Sequence, residues 1–338
     1  MIGASGNLGS ALLRRVQREP AVTEIVGVSR RVPDDVAPYS GVEWHPVDIG
    51  EAGTDARAST RSRLGDAIRG ADAVVHLAWA LQPNRDERRL RSVNVLGTTA
   101  VLDAVERERI PHLLVASSVG AYSPGPKTGR VDESWPTGGL QTSHYARHKA
   151  MNERQFDGFE RAHPSVVLTR MRPGLVFQAD AAVEVARLFA GPLVPKRLLG
   201  RIRLPVVPLP SRMVSQVVHA DDVADAFWRA IERSAGGAFN LAAEPVVTPQ
   251  VLATAIGGRA VPIRQNVVRS LIWASWKARL QPTDPGWLDI ATSVPVMSTE
   301  RARALLGWVP TVSSSDAIDE MLEGLASART LDGSPPLG

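Results

Sequence analysis

The chain has 338 residues, 44% of them hydrophobic, with 39 basic against 35 acidic side chains, a formal charge of +4 and no cysteine. That length can bury one large core or two smaller ones, and the lack of cysteine excludes disulfides and thiolate metal sites, which fits a reducing, cytoplasmic setting. A pI of about 9.8 does not make a nucleic-acid binder. Arginines alternate with acids, as in Arg85-Asp86-Glu87-Arg88-Arg89 and Glu106-Arg107-Glu108-Arg109, which marks solvated helix faces, and no basic stripe carries interleaved aromatics.

Taken in order, Met1-Ile2 lead directly into Gly3-Ala4-Ser5-Gly6-Asn7-Leu8-Gly9. This GxxGxxG spacing suits a tight turn that brings bare backbone N–H groups and a helix N-terminus up to a dinucleotide pyrophosphate. Leu8, Leu12, Leu13 and Val16 form an apolar helical stripe, and Ile25-Val26-Gly27-Val28, Val42 to Val47 and Ala73-Val74-Val75-His76-Leu77 predict short buried strands. A long helix is expected from about Glu87 to Arg107, then a strand at His112-Leu113-Leu114-Val115-Ala116, a helix carrying Tyr145 and a strand at Val166-Val167-Leu168. Continuous apolar strands separated by amphipathic helices predict a parallel sheet covered on both faces. Right-handed crossovers make that a doubly wound α/β domain of the Rossmann type.

After Arg172 the pattern becomes less regular, with proline loops and helices expected at Val267 to Ala278 and Ser298 to Leu306. The most apolar stretch, Val183 to Val218, is broken by Pro192, Pro195, Pro205, Pro208 and Pro210 and reads as a loop or cleft flap. No signal-peptide pattern opens the chain, and no apolar run reaches the roughly 18 residues of a membrane span, so no membrane partner is expected. Residues 327–338, with Gly333-Ser334-Pro335-Pro336, read as a disordered tail.

A Rossmann glycine turn follows a buried strand of about five or six residues, yet only Met1 and Ile2 precede Gly3. The first strand therefore reads as truncated. Either codons upstream of Met1 encode an apolar β-rich run whose addition would raise solubility and stability, or another segment fills the central slot. Failing both, the sheet has a gap flanked by unpaired backbone.

Downstream, Tyr145-Ala146-Arg147-His148-Lys149 puts a phenol and an ammonium one helical turn apart on one face. There the cation can hold the phenol's pKa down for proton transfer near neutral pH. Ser117-Ser118 comes before it, the second serine 27 residues ahead of Tyr145. The glycine turn, the serines and the Tyr/Lys pair, in this order, predict a nicotinamide-dependent oxidoreductase.

With these motifs the chain resembles the short-chain dehydrogenase/reductase superfamily, in its extended, NAD(P)-dependent epimerase/dehydratase-like branch. The resemblance runs through Val74-Val75-His76-Leu77-Ala78, Val93-Asn94-Val95-Leu96-Gly97-Thr98, Ser117-Ser118 with Tyr122, Arg172-Pro173-Gly174-Leu175-Val176-Phe177, Val218-His219-Ala220-Asp221-Asp222, Phe239-Asn240-Leu241 and Leu306-Gly307-Trp308. It implies a dinucleotide-binding domain at 1–172, with 215–238 folding back onto it and 173–214 plus 239–326 forming a substrate lobe. It further implies Tyr145 as general acid/base, Lys149 as the cation that lowers its pKa and binds the nicotinamide ribose, and Ser118 as holder of the substrate oxygen, with Ser117 as runner-up. Gly3, Ser5, Gly6, Asn7, Leu8 and Gly9 would bind the pyrophosphate, and Arg30, Arg31, Asp48 and Ile49 the adenosine end. Leu77, Ala78, Trp79, Asn94, Ser117, Pro173 and Val176 complete the cofactor set together with Tyr145 and Lys149.

The second strand ends Val28-Ser29-Arg30-Arg31, with no acid until Asp34. Arginine can pair with a 2′-phosphate that a carboxylate would repel, so NADP is expected, with NAD as the alternative. The expected substrate is a small carbonyl or alcohol. A nucleotide-sugar epimerase or dehydratase is the alternative, weakened by Val119-Gly120 after Ser118 and by Pro173-Gly174-Leu175 where sugar epimerases often read Y-F-N. A non-catalytic NADP-binding redox sensor is a further alternative. His144 and His148 have zinc-compatible spacing but no third ligand, so no metal is expected, and a homodimer is implied only by the resemblance. His219, Asp221 and Asp222 read as structural. Trp79 and Trp135 read as walls of a substrate site or as core aromatics.

Overall fold

Short apolar strands alternate with helices along the first half of the chain because each strand needs cover on both faces. The computed structural model describes residues 1–51, 54–82, 85–183, 205–327, 329–330 and 333–334. Helix α1 (Asn7–Val16) leaves the glycine turn directly and is followed by β1 (Val26–Ser29), β2 (Glu43–Pro46), α2 (Thr54–Ile68) and β3 (Val74–His76). The long helix expected from Glu87 is α3 (Glu87–Arg91), one π-helical turn at Ser92–Leu96, and α4 (Gly97–Arg107). Then come β4 (His112–Ala116), α5 (His144–Ala162), β5 (Val167–Pro173), β6 (Leu175–Phe177), β7 (Val206–Leu209) and β8 (Val217–His219). The rest comprises α6 (Ala220–Glu232), β9 (Gly237–Leu241), α7 (Pro249–Ala255), β10 (Arg259–Pro262), α8 (Gln265–Lys277), α9 (Gly286–Ser293), α10 (Glu300–Leu306) and α11 (Ser314–Ala326).

Strands β3, β4, β5 and β9 pair in that order, all parallel, and β1 pairs in parallel with β2. Ile2 joins the two groups through parallel bridges to both Val28 and His76. Its N–H donates to the Val75 carbonyl at 2.7 Å, its carbonyl accepts from Leu77 at 2.8 Å, and the Gly3 N–H donates to the Val28 carbonyl at 2.8 Å. Met1 to Gly3 thus hold the central slot beside the glycine turn. This corrects the expectation of a gap or a substitute segment there.

One face of the sheet buries Leu64, Ile68, Val101, Val105 and Phe156 with Leu113 and Val115, and the other buries Leu12, Val16, Phe227, Phe239 and Trp308 with Leu114. Each such aliphatic side chain is worth about 1.5–3 kcal/mol on burial. Helix α6 packs against α1, and β9 extends the sheet beyond β5, so the boundary expected at 238 falls within a strand of the main sheet. Two small parallel pairs, β6 with β8 and β7 with β10, lie outside it.

Within the apolar stretch Val183 to Val218, residues 184–204 lie outside the described residues. No described helix is long and apolar enough to cross a membrane. Much of the expected tail is also outside them, at residues 328, 331–332 and 335–338. Gly333 and Ser334 are described: the Gly333 carbonyl accepts from the Asp34 N–H at 3.0 Å, and the Ser334 hydroxyl donates to the Ser5 carbonyl at 2.9 Å.

Candidate active site

The glycine turn is shaped by close approach. Gly3 has φ +86°, and a Cβ there would stand 2.5 Å from the Ala78 nitrogen; on Gly9 it would run into the Ala4 carbonyl. Gly6 differs, because a Cβ there meets nothing nearer than the Gly3 oxygen at 3.4 Å. Gly6 caps α1 with extended backbone, no side chain caps that end, and no acid lies in its first turn. The end therefore offers N–H groups and the positive end of a helix dipole, which suits a pyrophosphate. Leu77 and Ala78 lie beside it, both N–H groups reaching the Ile2 carbonyl. Gln178, absent from the sequence reading, is buried and donates to the Asn7 carbonyl at 2.8 Å, pinning the turn from across the fold.

Arg30 and Arg31 are exposed immediately after β1, and the Ser29 hydroxyl donates to the Arg31 carbonyl at 2.6 Å. Both arginines have partners. Asp48 accepts from the Gly50 N–H at 2.9 Å and from Arg89 at 2.6 Å, while Ile49 packs on Gly97.

Ser143 caps α5 by accepting from the Ala146 N–H at 3.3 Å, which fixes Tyr145 in the first turn. Ser118 accepts the Gly120 N–H at 3.0 Å, and a Cβ on Gly120 would meet both the Tyr145 ring at 2.7 Å and the Ser118 hydroxyl oxygen at 3.5 Å, so the two side chains converge there. Lys149 is buried, donates to the Ala116 carbonyl at 2.8 Å, and lies 3.5 Å from the Trp79 ring centroid but 5.8 Å from that of Tyr145. Burial holds Lys149 down at about 7, with Glu153 pulling it upward. Tyr145 is pushed up to about 12 by burial, which the neighbouring Ser118 side chain only partly opposes. The expected lowering of the phenol by Lys149 is thus not found, because the ammonium is committed to the Ala116 carbonyl and the indole face.

The phenol is enclosed by aromatic rings. Trp79 meets it edge-on at 5.5 Å and Trp287 lies tilted at 4.9 Å, with Val119, Leu140 and Ile290 in the same apolar cluster. Trp287 carried no signal in the sequence. Trp135 packs in another cluster with Tyr122 and Met297.

Asn94 lies in the π-helical turn, where it accepts the Ala80 N–H at 2.7 Å and donates to the Ala80 carbonyl at 2.9 Å. It clamps the backbone that carries Trp79. Ser117 faces the other way, donating to Glu153 at 2.6 Å; this corrects its placement as runner-up to Ser118, since its hydroxyl is turned into the interior. Glu153 is fully buried and takes both Arg172 Nε and Nη2, at 2.9 and 2.8 Å, with Arg170 at 3.1 Å. Arginines at alternate positions of a buried strand demand such a partner, and an acid four residues after Lys149 was there to be read. Pro173 and Val176 are placed within strands β5 and β6, opposite Leu241 and Val218. Asp222 binds Thr311 and Val312 rather than the phenol, and His144 faces Asp284 at 3.4 Å.

The family model for the NAD dependent epimerase/dehydratase family matches residues 1–242. An uncharacterized protein of Mycobacterium tuberculosis is 26% identical over 94% of this chain, which spans only 29% of that relative's length. A second uncharacterized protein of that organism is 24% identical over 98% of this chain and 84% of its own. Among solved structures, UDP-glucose 4-epimerase of Thermotoga maritima superposes with TM-score 0.71 at 16% identity, covering 97% of this chain and 98% of that one. UDP-glucose 4-epimerase of Thermus thermophilus, in complex with NAD, gives 0.69 at 20% identity over 97% and 98%. These likenesses show a shared Rossmann-type fold.

Proposed function

The chain belongs to the NAD dependent epimerase/dehydratase family, and from that premise we propose that it moves hydride between a nicotinamide dinucleotide and a carbonyl or carbinol carbon, with Tyr145 moving the proton. The observation that carries this reading is the convergence of the Tyr145 ring and the Ser118 hydroxyl on Gly120, with Lys149 against the Trp79 ring that meets Tyr145. When bound, the nicotinamide supplies or accepts the hydride. This chain's residues do the rest. Ser118 holds the substrate oxygen against Tyr145, whose hydroxyl stays protonated at neutral pH and can donate. Trp79 and Trp287 exclude water from the phenol.

The indole rings favour a small apolar carbonyl or alcohol, because a sugar's hydroxyls would be left without partners there. The second reading is a nucleotide-sugar epimerase or dehydratase, favoured by the superposition on UDP-glucose 4-epimerases. For the dinucleotide we read NADP from Ser29-Arg30-Arg31; the Thermus relative's complex with NAD favours NAD. The decisive screen follows NADPH and NADH oxidation with apolar ketones and aldehydes, alongside product analysis of nucleotide sugars. Net dinucleotide oxidation by the apolar compounds supports the first reading. A changed sugar with no net oxidation moves the assignment to the second.

A further inference from the structure

We propose that α8 and the residues just after it form a docking surface for an anionic lipid bilayer. The sequence from 245 to 283 contains no aspartate or glutamate, yet carries Arg259, Arg264, Arg269, Lys277 and Arg279. Helix α8 buries none of its side chains fully. Val267 is 46% exposed, Leu271 63%, Trp273 50% and, beyond the helix, Leu280 54%. Val267, Leu271, Ala274 and Ala278 follow one another at helical spacing, so they form one stripe.

Charge selects the occupant. Arg269 is neutralised by Asp289 at 3.0 Å, whereas among the described residues Arg264, Lys277 and Arg279 form no salt bridge. A second copy of this chain would present the same cations to themselves across a two-fold interface, which opposes self-association there. An anionic membrane surface matches all three features: apolar side chains enter the headgroup boundary, tryptophan stays at its polar edge, and lysine and arginine reach the phosphates. An interfacial helix needs no spanning length, so the shortage of long apolar runs does not bear on it.

The test is cosedimentation of the full chain with vesicles of phosphatidylcholine, with and without phosphatidylglycerol, repeated at raised salt. The proposal predicts binding only to the phosphatidylglycerol vesicles, weakened by salt. Lys277→Glu with Arg279→Glu, and separately Leu271→Asp, should each cut it about tenfold or more. All the altered side chains are exposed, so circular dichroism and dinucleotide affinity should not change. Sedimentation to the pellet with neither vesicle, equal binding to both, or binding unaffected by the substitutions would each overturn it, as would a concentration-dependent dimer abolished by Leu271→Asp. None of these readouts depends on catalytic turnover.

Discussion

At the scale of single residues, the site's electrostatics are governed by burial. Lys149 loses its proton at about 7 in the folded chain, against an ordinary value of 10.5. Between those values the unfolded chain binds the extra proton, so this residue makes stability rise as pH climbs from about 7 to about 10.5 and adds no pH dependence outside that window. Urea titrations across that range should show the rise, and Lys149→Met should flatten it; an equal slope in the variant would refute the burial of the ammonium. The two arginines after β1 offer a second residue-scale test. Changing Arg30 and Arg31 to alanine should weaken NADPH binding by about 1.5–3 kcal/mol per charged hydrogen bond lost and barely alter NADH. Tighter NADH than NADPH binding in the unaltered protein would end the NADP assignment. Tyr145 and Lys149 could be nominated from their spacing, and Ser118 from the family resemblance. The orientation of Lys149, the inward turn of Ser117 and the presence of Trp287 could not, because each depends on packing between segments far apart in the chain.

At the scale of elements, the turn into α1 separates fold from ligand. Gly9→Ala drives a methyl into the Ala4 carbonyl and should cost about 1–3 kcal/mol of stability as overpacking. Gly6→Ala has room in the protein and should cost less than about 1 kcal/mol, yet under the proposed reading, in which this turn binds the dinucleotide, its methyl would crowd the pyrophosphate. Thermal melts and fluorescence titration with NADH should therefore show Gly6→Ala folded but binding at least about tenfold more weakly. Unchanged NADH affinity in Gly6→Ala would remove the phosphate role from this turn. The parallel strands and their helices were legible because buried strands read as apolar runs, as at His112 to Ala116. The π-helical turn was not, since the apolar stripe from Leu90 to Val105 gives no sign of an added residue. Only the structure shows what that turn does: it aims Asn94 at Ala80.

At the scale of the whole molecule, buried histidines set the acid limit. Burial holds His76 down at about 3, with Lys149 adding to the effect, and holds His112 and His148 at about 4. The unfolded chain takes up these protons first, so stability is full above about 6.5 and falls as pH drops toward 4. A urea midpoint unchanged from pH 7 to pH 4.5 would contradict this. The central strand slot shows how far a motif reaches. Gly3 to Gly9 located the turn, but that Ile2 bridges both Val28 and His76 depends on long-range pairing that no local pattern reports. The same holds for β9, whose short run Gly237 to Leu241 joins the main sheet rather than the lobe around it. The proposed activity is hydride transfer with the proton passing through Tyr145. Its most direct measurement is mass-spectrometric detection of deuterium passed from C4-deuterated NADPH or NADH to the carbon of an apolar carbonyl substrate, in the unaltered protein and in Tyr145→Phe. The account predicts labelled alcohol from the first and a rate lower by about 10²–10⁴ in the second, with dinucleotide affinity kept. Equal labelling rates in the two proteins, or no label in any product, would contradict it.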